Sequence, residues 1–133
     1  MDLLAINETR GFEALELRPA LARRMQFLDE RDKKLLEMTF VGRISRREGA
    51  TLMGMSRGGV TRRIRRIMNL LHDPFIVRLI DQGQLLPEGY QEIGLAFFLR
   101  RWPVERIARE VGMTPYQVRR ALTYVRGWHD ANK

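Results

Sequence analysis

Cysteine is absent from this chain of 133 residues, and no apolar run in it is long enough to span a membrane. The lack of cysteine excludes disulfides, thiol nucleophiles and zinc sites that use thiolates. A membrane-spanning helix needs about 20 consecutive apolar residues. The first residues, MDLLAINETRGFEALE, are acidic where a secretory signal would be basic. We therefore expect a soluble cytoplasmic protein that does not bind membranes.

Motifs typical of enzymes are also missing. The sequence has no phosphate-binding loop, no nucleophile elbow and no metal signature. Its two histidines, His72 and His129, each follow a predicted helix and are not part of a carboxylate cluster. We therefore expect no enzymatic activity, no cofactor and no bound metal.

Positive charge is what the chain has in excess. There are 24 lysines and arginines against 16 aspartates and glutamates, a net charge of +8. Residues 1–27 hold four basic and four acidic side chains, residues 28–73 eleven and six, and residues 74–133 nine and six. Because a strongly basic surface attracts nucleic acid or anionic membranes, this excess indicates an acidic partner.

The sequence contains an internal repeat. A shift of 58 residues aligns residues 28–67 with residues 86–125 without a gap. Nine aligned positions are identical, among them Ala50 with Ala108 and Gly54 with Gly112, and seven more carry similar residues. One structural unit that occurs twice explains this match better than chance does.

Each copy predicts three helices. Apolar residues at helical spacing place the first helix at about 30–41 in one copy and about 88–100 in the other. In the first copy, Ser45 and Glu48 predict a capping box for a short second helix. In the second copy, Pro103 suits the first turn of that helix.

A glycine turn then leads into the third helix of each copy. Gly54 and Gly112 stand where the second helix must end in a left-handed residue. Ser56 and Thr114 predict the caps of the third helices, and Pro115 follows its cap at the first helical position. Two short helices joined by such a turn form a helix-turn-helix.

The predicted fold is therefore all-α, with two tandem helix-turn-helix units and an N-terminal helix. The predicted divisions are an N-terminal helical segment at 1–27, the first unit at 28–73, a linker at 74–85 and the second unit at 86–133. The linker includes the apolar piece FIVRLI, which allows either one more helical turn or a packed connection. The N-terminal segment predicts an amphipathic helix that starts or breaks near Pro19.

Two strings carry a resemblance to a known family. ATLMGMSRGGVTRRIRRI (50–67) and AREVGMTPYQVRRALTYV (108–125) resemble the helix-turn-helix of the fourth conserved region of sigma factors, and LuxR-type response regulators share the pattern. The resemblance covers residues 28–71 and 86–128. It implies binding of double-stranded DNA in transcription, by a regulator or a sigma-like accessory factor, with RNA polymerase as a second candidate partner.

In that family the third helix enters the major groove with its N-terminal residues toward the bases. The resemblance therefore implies two sets of DNA-binding residues. We call the first set the first candidate face: Arg46, Arg47, Ser56, Arg57, Gly58, Thr61, Arg62, Arg65 and Arg66. We call the second set the second candidate face: Thr114, Tyr116, Gln117, Arg119, Arg120 and Thr123.

The residue types suit that role. Arginine matches guanine edges and phosphates, and Gln117 suits adenine. Gly58 and Gly59 remove bulk, which allows the start of the helix to approach a phosphate. No acidic residue follows Glu48 until after Leu71, so local ion pairs do not neutralise the arginines of this helix. Five to seven phosphate contacts predict a log–log salt slope of about −5 to −6.

Two other functions remain compatible with the sequence. The chain is alternatively an adaptor that binds RNA polymerase or a sigma factor, with its basic charge incidental. It is alternatively a nucleoid protein or an RNA-binding protein. Both a monomer and a homodimer are compatible with two units in one chain.

Overall fold

The structure is a computed structural model, and it describes residues 19–40, 42 and 44–133. Eight α-helices and no strand occur among these residues, which confirms the all-α prediction. The chain divides into two compact units, Met1–His72 and Asp73–Lys133. No helix in the described part combines the length and the apolarity needed to cross a bilayer.

The described part of each unit contains four α-helices. In the first unit they are α1 (Pro19–Met25), α2 (Glu30–Phe40), α3 (Arg46–Met53) and α4 (Arg57–Leu71). In the second unit they are α5 (Pro74–Gln82), α6 (Tyr90–Gly94), α7 (Val104–Val111) and α8 (Pro115–Ala131). A short 3-10 turn (Gly83–Leu85) follows α5, and α6 continues as a π-helical segment (Leu95–Leu99).

The repeat in the sequence reappears in the backbone. Helices α3 and α7 span positions 58 residues apart, and so do the starts of α4 and α8. Between them, the Met55 N–H donates to the Ala50 carbonyl at 2.9 Å, and the Met113 N–H donates to the Ala108 carbonyl at 3.0 Å. Both alanines are buried where the paired helices pack. The small alanine side chain therefore allows the paired helices to pack closely in both units.

The ends of the two first helices also match. The Ile44 N–H donates to the Met38 carbonyl at 3.1 Å, and the Trp102 N–H donates to the Ala96 carbonyl at 2.9 Å. These are the same bonds after the 58-residue shift. The first helix of the second copy begins at Tyr90, two residues later than predicted, because Gly89 adopts a φ of 85° just before it.

The predicted caps of the short helices are confirmed. The Glu48 N–H donates to Ser45 Oγ at 3.1 Å, and the Ser45 N–H donates to Glu48 Oε1 at 3.2 Å. Gly54 and Gly112 end α3 and α7 with φ values of 65° and 69°, a conformation that suits glycine. Pro103 is the cap of α7 and not its first residue, since its ψ of 153° is extended.

The predicted caps of the third helices are confirmed as well. Ser56 Oγ accepts from the Gly59 N–H at 2.9 Å. Thr114 Oγ1 accepts from the Gln117 N–H at 3.1 Å, and Pro115 is the first residue of α8. Five residues of α4 are buried in the core of the unit: Val60, Ile64, Ile67, Met68 and Leu71.

Residues 74–85 do not form a linker, and that prediction is corrected. They form α5 and the 3-10 turn, which belong to the second unit. Phe75, Ile76 and Leu79 are buried. The side-chain amide of Gln91 donates to the Leu79 and Ile80 carbonyls at 3.0 and 3.3 Å, which satisfies carbonyls at the end of α5. The apolar face and the capped carbonyls make this stretch a structural part of its unit.

The N-terminal boundary predicted at residue 27 is also corrected. Residues 1–18 lie outside the described part of the chain. Helix α1 packs within the first unit, where Leu21 and Met25 are buried. Arg24 Nη1 also donates to the Leu71 carbonyl at the end of α4, at 3.2 Å. Residues 19–25 are therefore part of the first unit.

Candidate nucleic-acid interface

The start of α4 presents the core of the first candidate face. Ser56, Arg57, Gly58 and Arg62 are exposed within the first two turns of the helix, and Arg47 is exposed on α3. Arg46 belongs to α3, but its side chain lies outside the described residues. The structure therefore brings together on one helix end a serine cap, two arginines and a glycine.

The two glycines of this helix start have different surroundings. A β-carbon on Gly58 would lie 3.2 Å from Arg62 Nη1, so the glycine leaves room for the guanidinium at the helix start. A β-carbon on Gly59 would lie 3.0 Å from Ser56 Oγ and 3.4 Å from Met55 Cε. Gly59 therefore makes room for the capping serine, which is a role in folding that the sequence alone did not indicate.

The electrostatics of this helix start favour an anion. Helix α4 has no acidic residue in its first turn, whereas α3 has Glu48 there. The free N–H groups and the helix dipole make the N-terminus positive, and Arg57 and Arg62 add charge to that same end. Cations at the positive end of a helix repel it, so an external anion is the partner that this arrangement suits.

Two arginines of α4 are held by the protein itself. Arg63 Nε donates to Asp32 Oδ1 at 2.6 Å, and Arg66 Nη2 lies 4.0 Å from Asp32 Oδ2. The sequence excluded only local ion pairs for this helix, and the carboxylate that holds these two residues comes from another helix. Asp32 belongs to α2 and lies far away in sequence, so only the packing of α2 on α4 brings it into contact.

The remaining members of the first candidate face are partly covered. Thr61 and Arg65 are half-buried, and the Thr61 hydroxyl donates to the Arg57 carbonyl at 3.1 Å. Arg66 is half-buried beside Asp32. Among the arginines of this face whose side chains are described, Arg47, Arg57 and Arg62 remain well exposed.

The second candidate face is exposed on α8. Thr114, Tyr116, Gln117, Arg119, Arg120 and Thr123 are all exposed. The Arg120 guanidinium lies 5.9 Å from the centre of the Tyr116 ring. The Thr123 hydroxyl donates to the Arg119 carbonyl at 3.1 Å. Tyr116 and the two arginines are the side chains of this face with the greatest reach.

Gln117 is occupied by the cap of its own helix. Its Oε1 accepts from the Thr114 N–H at 2.9 Å, which completes a capping box that the sequence analysis did not identify. Recognition of adenine by glutamine uses the amide oxygen and nitrogen together. Gln117 therefore keeps its amide N–H groups and one lone pair of Oε1 available, while the other lone pair serves the cap.

A buried histidine in the second unit was placed wrongly from the sequence. His129 does not follow the third helix but lies within α8, only 8% exposed. Arg78 Nη1 lies 3.1 Å from His129 Nδ1 and donates to the His129 carbonyl at 3.2 Å. Burial and the neighbouring Arg78 charge lower the pKa of His129 below its usual 6.5, and Lys133 adds to this effect. Asp130 and Asp73 oppose it.

This histidine predicts a pH dependence of the second unit. The pKa of His129 is lower in the folded state than in the unfolded state. Its contribution to the stability of the unit is therefore complete above about pH 6.5, and it is lost as the pH falls through the folded-state pKa. We expect the urea midpoint of the second unit to fall between about pH 7.5 and 5.5. Both tryptophans, Trp102 and Trp128, belong to this unit, so their fluorescence reports its unfolding.

The matched control for this prediction is His129→Gln, which keeps an acceptor for Arg78 and removes the titrating ring. If His129→Gln loses as much stability over this pH range as the unaltered protein does, the pH dependence does not come from His129.

Among the described residues, no group of three or more histidine, aspartate or glutamate side chains is placed to hold a metal ion.

No protein-family model matches this sequence, and the searches of curated proteins and of solved structures find no match either.

Proposed function

We propose that this chain binds double-stranded DNA in transcription, as a regulator or a sigma-like accessory factor, with α4 and α8 in the major groove. The observation that carries the proposal is the start of α4. It combines a serine cap, exposed Arg57 and Arg62, and a first turn without an acidic residue. A phosphate at this point would compensate charge that the described part of the first unit leaves exposed.

The matching helix start of α8 supports the same role with different chemistry. It has no acidic residue in its first turn, and Tyr116, Arg119 and Arg120 are exposed on it. Arginine contacts phosphates and guanine edges, and the Tyr116 hydroxyl bonds a phosphate. We propose that α4 contributes mainly affinity and α8 mainly sequence preference.

Salt dependence of DNA binding tests the proposal and counts the contacts. We expect a random duplex to bind with a micromolar Kd at low salt, measured by fluorescence anisotropy. With Arg63 and Arg66 held by Asp32, contacts from Arg47, Arg57 and Arg62 alone predict a log–log slope of about −2.7. Two more contacts from Arg119 and Arg120 predict about −4.5. The slope therefore distinguishes one engaged unit from two.

The same experiment separates the alternative functions. An adaptor that binds only protein shows no DNA binding even at low salt, and this result would overturn the proposal. An RNA-binding protein prefers duplex RNA or a single strand of the same sequence. Selection of bound sites from a random duplex library would then report the spacing of half-sites and the sequence preference.

Gly58→Ala distinguishes the effect of this glycine on stability from its effect on DNA binding. Alanine at an exposed helical position should stabilise the first unit by about 0.5–1 kcal/mol, because glycine has the greater conformational freedom when unfolded. Its β-carbon displaces the Arg62 guanidinium from the helix start. We therefore expect higher thermal stability together with several-fold weaker duplex binding.

Gly127→Ala is the matched control for this prediction. Gly127 lies in α8 outside both candidate faces, and a β-carbon there meets no atom within 4 Å. It should raise stability by a similar amount without a change in DNA affinity. If Gly58→Ala leaves the anisotropy curve unchanged, the close approach at the start of α4 is not used.

A further inference from the structure

We propose that the second unit also binds an acidic, apolar segment of a partner protein, in a groove beside the π-helical segment. Two adjoining cavities of about 430 and 450 Å³ form this groove. Phe97, Phe98 and Arg126 line both cavities. Arg101 and Trp102 also line one cavity, and Val104, Leu122 and Arg119 are among the residues that line the other. We call this site the aromatic–arginine groove.

The π-helical segment places an aromatic ring at the mouth of the groove. Phe97 is 37% exposed, and its ring meets the half-buried Phe98 ring edge-to-face at 5.0 Å. Single π turns inside helices occur frequently at functional sites. An exposed phenyl ring above an apolar cavity provides an anchoring contact for an apolar side chain of a ligand.

The backbone at Arg101 is a second feature that folding alone does not explain. Its φ of 63° is left-handed, and at such helix ends glycine is the usual residue. A non-glycine residue in this conformation costs on the order of 1 kcal/mol. The chain nevertheless has an arginine here, and its exposed side chain lines the groove next to Trp102 and Phe97.

The charged side chains that line the groove all have the same sign. Every charged side chain that lines the two cavities is an arginine: Arg101, Arg119 or Arg126. The Arg126 guanidinium lies over the Phe98 ring at 4.8 Å and over the Phe75 ring at 5.0 Å, which holds it beside the apolar floor. An apolar floor edged by arginines is complementary to apolar side chains flanked by carboxylates.

A nucleic-acid strand fits this groove less well. Binding of single strands uses aromatic faces on which successive bases stack. The Trp102 ring is covered by the Arg106 guanidinium at 3.7 Å, and the Phe98 ring already contacts Arg126 and Phe75. Phe97 is the ring of this groove that remains exposed to a ligand. One ring above a cavity accommodates an inserted side chain and not a stack of bases.

Selection from a displayed library of random short peptides on the immobilised full chain tests the proposal. We expect the recovered peptides to combine aspartate or glutamate with leucine, phenylalanine or tryptophan. The affinity of a labelled recovered peptide is then measured by anisotropy on two variants, Phe97→Ser and Arg101→Gly. Each should weaken binding about tenfold, because each removes one anchor of the groove. Glycine suits the φ of residue 101, so Arg101→Gly preserves the fold.

Two variants outside the groove are the controls. Leu85→Ser removes another exposed apolar side chain of the same unit, and Arg109→Gln removes another exposed arginine. Both should leave peptide affinity unchanged. Recovery of peptides without acidic residues, or peptides that bind Phe97→Ser and Arg101→Gly normally, would overturn the proposal.

DNA binding is measured in parallel on the same variants. Phe97 and Arg101 lie outside both candidate faces, so neither substitution should change duplex affinity. Weaker duplex binding by both variants, without effect on any peptide, would assign the groove to nucleic acid and overturn the protein-partner proposal. The proposal does not rest on DNA binding, because loss of duplex binding in the unaltered chain would leave the peptide result intact.

Discussion

Replacing Arg57 and Arg62 together by glutamine is expected to weaken duplex binding by about 2–3 kcal/mol, or roughly 30- to 150-fold in Kd. Both side chains are exposed at the start of α4, where the helix itself supplies no acidic residue. The salt slope should also become shallower by about 1.8, since two phosphate contacts are lost. Anisotropy titrations of one duplex at several salt concentrations measure both quantities.

A control of equal charge shows whether position or net charge is responsible. Arg109→Gln combined with Lys133→Gln removes two exposed positive charges outside both candidate faces. This variant should retain nearly all of its affinity for the duplex and an almost unchanged salt slope. Equal losses in the two double variants would mean that DNA responds only to overall charge, and the specific role of α4 would be rejected.

The same assay tests whether α4 contributes mainly affinity and α8 mainly sequence preference. We expect Arg62→Ala to weaken binding to all sequences and Gln117→Ala to change the sequence preference. Because Gln117 also completes the cap of α8, its variant needs a stability measurement beside the binding curve. If both variants act alike on all sequences, the proposed division is wrong.

Asp32→Asn is expected to destabilise the first unit by about 2–3 kcal/mol. Asp32 is 5% exposed and bonds Arg63, whose side chain is 22% exposed, so asparagine leaves a partly buried guanidinium without its counter-charge. The partial exposure of Arg63 places the expected cost below the 3–5 kcal/mol typical of a fully buried pair. Urea unfolding followed by far-UV circular dichroism measures the loss.

The position of the tryptophans provides an internal control for this experiment. Trp102 and Trp128 both belong to the second unit, so tryptophan fluorescence should show an unchanged transition while circular dichroism shows an earlier one. Glu30→Gln removes an exposed carboxylate from the same helix, with a 3.9 Å contact to Lys33, and should cost less than about 0.5 kcal/mol. Equal stability of Asp32→Asn and Glu30→Gln would reject a structural role for the buried pair.

Asp32→Asn has a second expected effect, on DNA. Where the variant remains folded, Arg63 and Arg66 lose the carboxylate that holds them. We expect a steeper salt slope and tighter binding at low salt, because an Arg63 side chain without its bond to Asp32 can contact a phosphate. A stability loss with unchanged DNA binding would place these two arginines outside the interface.

The local features of the fold were predictable because each depends on a few neighbouring residues. The glycine turn at Gly54, the capping box of Ser45 with Glu48 and the serine cap of α4 are formed by residues within one helical turn of each other. The 58-residue repeat extended these predictions from one unit to the other. The capping box at Thr114 was available from the same rule, since a glutamine stands three residues later.

The predictions that failed concern contacts between distant residues. Residues 74–85 were taken for a linker because a short apolar run does not reveal which surface covers it. Whether such a run becomes a helix or a connection depends on the burial of Phe75 and Leu79 by the rest of the second unit. His129 was likewise misplaced because α8 extends past the end of the repeat, to Ala131.

By itself, the sequence determined the helical composition, the repeated turns, the caps and the excess of arginine on two helix starts, because these follow from periodicity and from residue types at fixed short spacings. Only the tertiary structure decided which arginines remain exposed. Arg57 and Arg63 are equivalent in charge and lie in the same helix, but Asp32 of α2 bonds only the second of them. That selection depends on how α2 packs on α4, and no local pattern in the chain encodes it.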